Sequence, residues 1–246
     1  MTRFLRGVRC GEGRVLLDVG SGGGSTSLLA AGMGFRVISM DLSIPGLRDA
    51  RLAGARMRPP RMIAPVAGDC CRIPLRGASA DAVIASHIIE HLDEPRSLLA
   101  EANRVLRPGG VLRVSCPSTF HVLRIGRWLG LRLDPPDHKV TGYSARDVRA
   151  LLPEGLEVTR WMYEGRFLES NFADLQHGIA TILRLRANPA RLASAPPSKR
   201  RASAAVAALW FLKELILLPL LILCKIEDAL LFFMPGSMIS LEIRKT

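Results

Sequence analysis

The chain has 246 residues, 48% of them apolar, which is enough for a sizeable buried core and excludes disorder of the whole. A net charge of +12 at pH 7, carried almost wholly by arginine, points to an anionic surface, either nucleic acid or phospholipid. Five cysteines with Cys70 and Cys71 adjacent and no CxxC pair exclude a disulfide framework or a zinc site of recognisable spacing.

In chain order, Met1 to Arg14 carries arginines and glycines without an apolar h-region, so no cleaved secretory signal is expected and the cytosol is the expected compartment. From Arg14 to Ser115, short Val- and Ile-rich runs alternate with stretches of helical period, the pattern of βαβ units in a parallel sheet. The expected strands are Arg14–Val19, Arg36–Met40, Met62–Val66, Asp81–Ser86 and Gly110–Ser115, the last preceded by the turn Arg107-Pro108-Gly109-Gly110. Ser144 is expected to cap a helix, and an alternating run from Leu156 to Tyr163 suits a strand. Asn188 to Arg201, rich in Pro, Ala and Ser, reads as a linker. Ala204 to Met234 is dominated by Leu and Ile, and Met238 to Arg244 alternates as a strand again.

The first strand runs into Asp18-Val19-Gly20-Ser21-Gly22-Gly23-Gly24, with Ser25 placed to cap the next helix. Glycines there allow a sharp turn and let backbone approach a nucleotide ligand. A dinucleotide fingerprint has Gly or Ala three residues after Gly22, where this chain has Ser25. Asp18 would repel a pyrophosphate but suits a cationic amino-acid end, reached through the loop or a water. Asp41 closes the second strand at the spacing of a ribose ligand. Asp69, after Gly68, can accept from an exocyclic amine. Any one of these acids would pass as a turn residue; three in register at successive strand ends point to one nucleoside site.

This series, with Asp81 to Leu92 (DAVIASHIIEHL) and Leu106 to Leu112 (LRPGGVL), resembles the class I S-adenosylmethionine-dependent methyltransferases, and within them the group of ubiquinone and menaquinone biosynthesis methyltransferases. The resemblance covers Val15 to Ser115 closely and His138 to Leu152 loosely. It implies an α/β fold: a Rossmann-like doubly wound sheet, mostly parallel with an antiparallel last strand, and an apolar helical insertion before that strand. The implied cofactor is S-adenosylmethionine, held by Asp18, Gly20, Ser21, Gly22, Gly24, Asp41, Leu42, Asp69, Cys70 and Ser86. Together with the apolar composition of Ala204 to Met234, the resemblance gives the expected organisation: a methyltransferase core over 1–164, a helical, membrane-associated insertion over 165–236 and the last core strand over 237–246.

A sulfonium is already an activated methyl donor, so the protein's task is mainly alignment. A hydroxyl acceptor adds the need for a general base. His87, Glu90, His91, His121 and His138 are candidates by type, and His87 is the expected catalytic residue because it follows a strand whose end faces the cofactor. His87-x-x-Glu90-His91 also resembles the Glu-x-x-Glu-His metal site of some small-RNA O-methyltransferases. The same spacing occurs at ordinary helix ends, and no metal is expected.

Lys213 and Glu214 interrupt the apolar stretch, leaving an uncharged run short of the roughly twenty residues a crossing needs. If Met238 to Arg244 joins the same sheet as Leu156 to Tyr163, a single crossing between them is impossible. Two helices bent at Pro219, lying in the interface or entering one leaflet and returning, beside Lys199-Arg200-Arg201, satisfy both conditions; the alternative is a helical subdomain packed on the sheet or on a second protomer. His121 to Leu133, a basic amphipathic segment, could line the acceptor pocket and touch lipid. The expected protein is a cytoplasmic methyltransferase, peripheral on the inner face of the membrane, with a lipid-like or small-molecule acceptor. Competing readings are an RNA methyltransferase, which lacks an appended RNA-binding motif here, and a non-catalytic nucleoside-binding partner.

Overall fold

The computed structural model describes residues 13–57, 63–119, 138–164, 223, 226 and 236–246. The chain divides into one unit of Met1–Thr119, Pro136–Met162 and Met238–Thr246, and another of Phe120–Pro135 and Tyr163–Ser237. Nearly all of the second unit lies outside the described residues, including the segments expected as His121–Leu133, the linker Asn188–Arg201 and, apart from Leu223 and Ile226, the apolar stretch Ala204–Met234.

Seven strands form one sheet: β1 (Val15–Val19), β2 (Arg36–Asp41), β3 (Ile63–Ala67), β4 (Ala80–Ser86), β5 (Leu106–Pro117), β6 (Leu156–Glu164) and β7 (Met238–Lys245). Their order is β3-β2-β1-β4-β5-β7-β6. The first five strands in that order are parallel, and β7 runs antiparallel to β5. The chain moves outward from β1 through β2 to β3, then returns to place β4 on the other side of β1. That reversal opens a crevice at the carboxyl ends of the central strands.

Position in the sheet explains composition. Ala82, Val83, Ile84 and Ala85 of β4 are all fully buried, as a central parallel strand covered on both faces requires. Pro65 lies in β3, at the edge of the sheet, where a missing N–H costs no ladder bond on the open side. On one face Leu16, Val37, Ile63, Ala82, Ile84 and Val111 close over Ala30, Ala31 and Phe35.

Helix α1 (Ser25–Gly32) follows β1, and α2 (Ile44–Ala55) follows β2. After β4 come a short 3-10 turn, Ile89–His91, and α3 (Pro95–Val105); α4 (Ala145–Leu151) precedes β6. Ser144 caps α4 as expected, in a reciprocal capping box with Asp147. Ser25 does not cap α1. The N-cap is Gly24, in left-handed conformation with φ 78°; its N–H donates to the Ser21 carbonyl and its own carbonyl takes the Leu28 N–H. Ser25 is therefore already inside the first turn. The turn Arg107–Gly110 is present within β5 as an irregularity, since Ala80 pairs with Leu106 but Ala82 with Val111.

The antiparallel β5–β7 pair carries a buried charge pair: Arg113 Nη2 lies 2.6 Å from Glu242 Oε2, both side chains under a tenth exposed. Thr159 and Arg244 also reach the Glu242 carboxylate. Removing one partner strands the other in a poorly solvated site. Glu242→Ala is expected to lower unfolding free energy by about 3–5 kcal/mol, read from the urea midpoint at unchanged m-value.

Candidate active site

The end of β2 receives the loop that leaves β1. The N–H groups of Gly20 and Ser21 donate to the Met40 carbonyl at 2.8 and 3.1 Å. The Gly22 N–H donates to Asp41 Oδ2 and the Ser43 N–H to Asp41 Oδ1, each at 2.7 Å. Gly20 has φ 67°, and a Cβ on it would collide with the Ile88 side chain; one on Gly24 would collide with Ala50. These glycines are thus required by packing as well as by backbone conformation. Gly46, in the first turn of α2, is a further one: a Cβ there would press on the Gly22 carbonyl.

Beneath the loop lies a buried polar chain. The Ser27 hydroxyl donates to Asp18 Oδ2 at 2.6 Å and lies 3.1 Å from Ser39 Oγ, which lies 2.7 Å from Ser21 Oγ. Asp18 is 1% exposed. Burial pushes its carboxyl up to about 6 against the opposing hydrogen bonds from Ser27. It braces the glycine loop from below.

A cavity of about 350 Å3 opens at the ends of four strands, within the size range of small-molecule sites. Of the expected residues, Gly20, Asp41, Leu42, Asp69, Cys70 and His87 line it. Asp18, Ser21, Gly22, Gly24 and Ser86 are not in its wall: the first four build or support the loop, and Ser86 ends β4 opposite Ser115. Met40, Gly68, Ile88, His91 and Leu92 line it too; His91 is one of the candidate bases, and each of the others is next in sequence to a named residue, a signal that a wider window at each strand end would have caught. Asp69 Oδ1 accepts the Cys71 N–H at 2.8 Å. Burial pushes the Cys70 thiol up to about 12, so Cys70 serves as wall and not as nucleophile.

The opposite wall is the end of β4. His87 has φ 53°, a left-handed conformation uncommon for a non-glycine residue and costing about 1–3 kcal/mol. Its N–H donates to the Ser115 carbonyl at 2.8 Å, and its side chain is 57% exposed. Nδ1 lies 3.5 Å from Oε1 of Glu90, whose side chain is fully buried. Among the other candidate bases, His91 reaches the cavity, His138 stands beside His91 with ring centroids 4.7 Å apart, and His121 lies outside the described residues.

Acids at the ends of β2 and β3, a glycine loop after β1 and a cavity at the carboxyl ends of the central strands are the arrangement in which open α/β sheets bind nucleotide ligands. Residues 17–114 match the methyltransferase domain family. The demethylmenaquinone methyltransferase of Paenarthrobacter aurescens is 28% identical over 201 residues, covering 77% of this chain and 76% of that protein. That of Renibacterium salmoninarum is 38% identical over 103 residues, covering 42% and 41%; the chain spans 40–41% of the length of its more identical curated relatives. A solved S-adenosylmethionine-dependent methyltransferase from Aquifex aeolicus shares the fold, with a TM-score of 0.53 at 22% identity over 66% of this chain and 82% of that one. Residues 17–114 are a methyltransferase domain of the S-adenosylmethionine-dependent class. S-adenosylmethionine is the cofactor of that class, and the carboxylates of Asp41 and Asp69 in the cavity wall offer acceptors for it.

The raised pKa of Asp18 makes a signed prediction. Between the ordinary 3.8 and about 6 the folded chain holds a proton that the unfolded chain has released, so stability falls as pH rises through that window. The loss is on the order of 3 kcal/mol and is complete above about pH 6. Asp18→Asn keeps an acceptor for Ser27 and should flatten this part of the stability–pH curve. Equal slopes for both proteins in denaturant titrations between pH 4 and 7 would exclude a buried, proton-holding Asp18.

Proposed function

We propose that the chain methylates a lipid-like or small-molecule acceptor at the inner, cytoplasmic face of a membrane. The observation that carries this is the two-walled cavity: acids from β2 and β3 on one side, an exposed imidazole on the other. In this reading Asp41 holds the ribose hydroxyls and Asp69 the adenine amine, while Leu42 and Cys70 flank the base. S-adenosylmethionine supplies an electrophilic methyl group on a sulfonium. His87 takes the proton from an acceptor hydroxyl, and its left-handed backbone turns the imidazole toward the cavity.

A lipid-like acceptor is supported by the relation to the P. aurescens demethylmenaquinone methyltransferase, which extends over most of both chains. Attachment to a membrane is supported by the net charge of +12 and by Leu223 and Ile226, helical, three residues apart and 51% and 48% exposed. Among the described residues no helix is long and apolar enough to cross a membrane, and the reading requires only interfacial binding. The core 1–164 and last strand 237–246 would then carry catalysis, and 165–236 the membrane contact.

Incubation with methyl-labelled cofactor and a total lipid extract, and separately with total RNA, is expected to label the lipid fraction. Label in RNA alone would establish the RNA methyltransferase reading instead. For an oxygen acceptor, His87→Ala should lower kcat about 10²- to 10⁴-fold with the Kd for S-adenosylmethionine little changed; full turnover in this variant would remove His87 from the chemistry.

A further inference from the structure

We propose that Glu90, His91 and His138 form a binding site for a divalent first-row transition-metal ion such as zinc. The starting point is Glu90. It is fully buried, and among the described residues neither of its carboxylate oxygens has a hydrogen-bond partner. The imidazole of His87 approaches only Oε1, at 3.5 Å, beyond hydrogen-bond length. A carboxylate without donors in such a place costs several kcal/mol as an anion. Buried charges that persist in folded proteins are paired or coordinate a cation.

The donors for a cation are close by. One ligand atom from each of Glu90, His91 and His138 lies within 4.8 Å of the other two, and the two imidazoles meet edge to face at 82°. His138 is far away in sequence and is brought in by backbone bonds: the Glu90 carbonyl accepts the N–H groups of Lys139 at 2.8 Å and Val140 at 3.3 Å. An ion pair between Lys139 and Asp93 at 3.0 Å and the hydroxyl of Tyr143 donating to the Ile89 carbonyl at 3.3 Å hold the same segments together. The cluster is therefore clamped from both sides of Glu90.

Two imidazole nitrogens and one carboxylate oxygen are a borderline donor set that suits zinc, cobalt or iron(II) and disfavours magnesium and calcium, which prefer oxygen. Three protein ligands leave a coordination position open. His91 is shared between this cluster and the cavity, which puts the ion at the cavity wall. If the proposed methyl transfer to a hydroxyl holds, that open position would take the acceptor oxygen and lower its pKa. The other close group, Asp69, Cys70 and Cys71, is weaker: its members are consecutive, and Asp69 already accepts the Cys71 N–H.

The test uses the full chain, stripped with a chelator and titrated with Zn2+ alone by calorimetry, and with Co2+ followed by its visible absorption. The expected result is one equivalent per chain. Glu90→Gln and His138→Ala should each weaken binding at least about tenfold, and Cys71→Ser should leave it unchanged. Binding of S-adenosylmethionine to the same variants reports that they are folded, and it tests the methyltransferase reading separately, since the metal titration needs neither cofactor nor acceptor. Absence of stoichiometric binding, or loss of the ion in Cys71→Ser and not in Glu90→Gln or His138→Ala, overturns the proposal.

Discussion

Four backbone N–H groups converge on two oxygen-bearing groups at the end of β2. Gly20 and Ser21 donate to the Met40 carbonyl, and Gly22 and Ser43 to the Asp41 carboxylate. Each would otherwise be an unmet donor in a tight turn, and hydrogen bonds to a charged acceptor are the stronger kind. This convergence ties the loop after β1 to the loop after β2 and so determines where the cavity floor lies. It also explains the neighbouring residues: Ser43 can begin α2 because its N–H is held, and Gly46 has no side chain because Gly22 rests on it. The buried Asp18–Ser27–Ser39–Ser21 chain supports the same loop from inside the sheet.

Across the cavity the end of β4 is held in a costlier state. His87 adopts a left-handed backbone, and three residues on Glu90 is buried without hydrogen-bond donors among the described residues. Local expense of this kind persists where the surrounding structure over-determines it, and it clusters at functional sites. The two walls differ in character. The polar groups of the β2 wall are hydrogen-bonded, whereas beside the β4 wall the Glu90 carboxylate has no hydrogen-bond donor among the described residues.

Much of this was legible in the residues. All seven strands appear where alternating or continuous apolar runs predict them, because a central strand needs apolar side chains on both faces and the period of a pleated strand is two. Asp41, Asp69 and His87 were legible as cavity residues because they stand one to three residues beyond such runs. Ser25 misleads because helix capping depends on the φ of Gly24, which no spacing rule reports. The roles of Asp18, Ser21 and Gly22 as loop support, and not cavity wall, depend on which way each side chain turns at the strand end, and a two-residue period assigns faces but not depth.

The sequence by itself pointed to an α/β nucleoside-binding domain, because strand periodicity and strand-end chemistry are local, and its resemblance to the class I methyltransferases carried the class of protein and the cofactor. Tertiary structure alone decided which of those residues meet. The backbone bonds from Lys139 and Val140 to Glu90 bring His138 to His91, and the reversal of strand order at β1 and β4 places His87 opposite Asp41. Contacts between residues tens of positions apart follow from sheet topology and register, which no local pattern encodes.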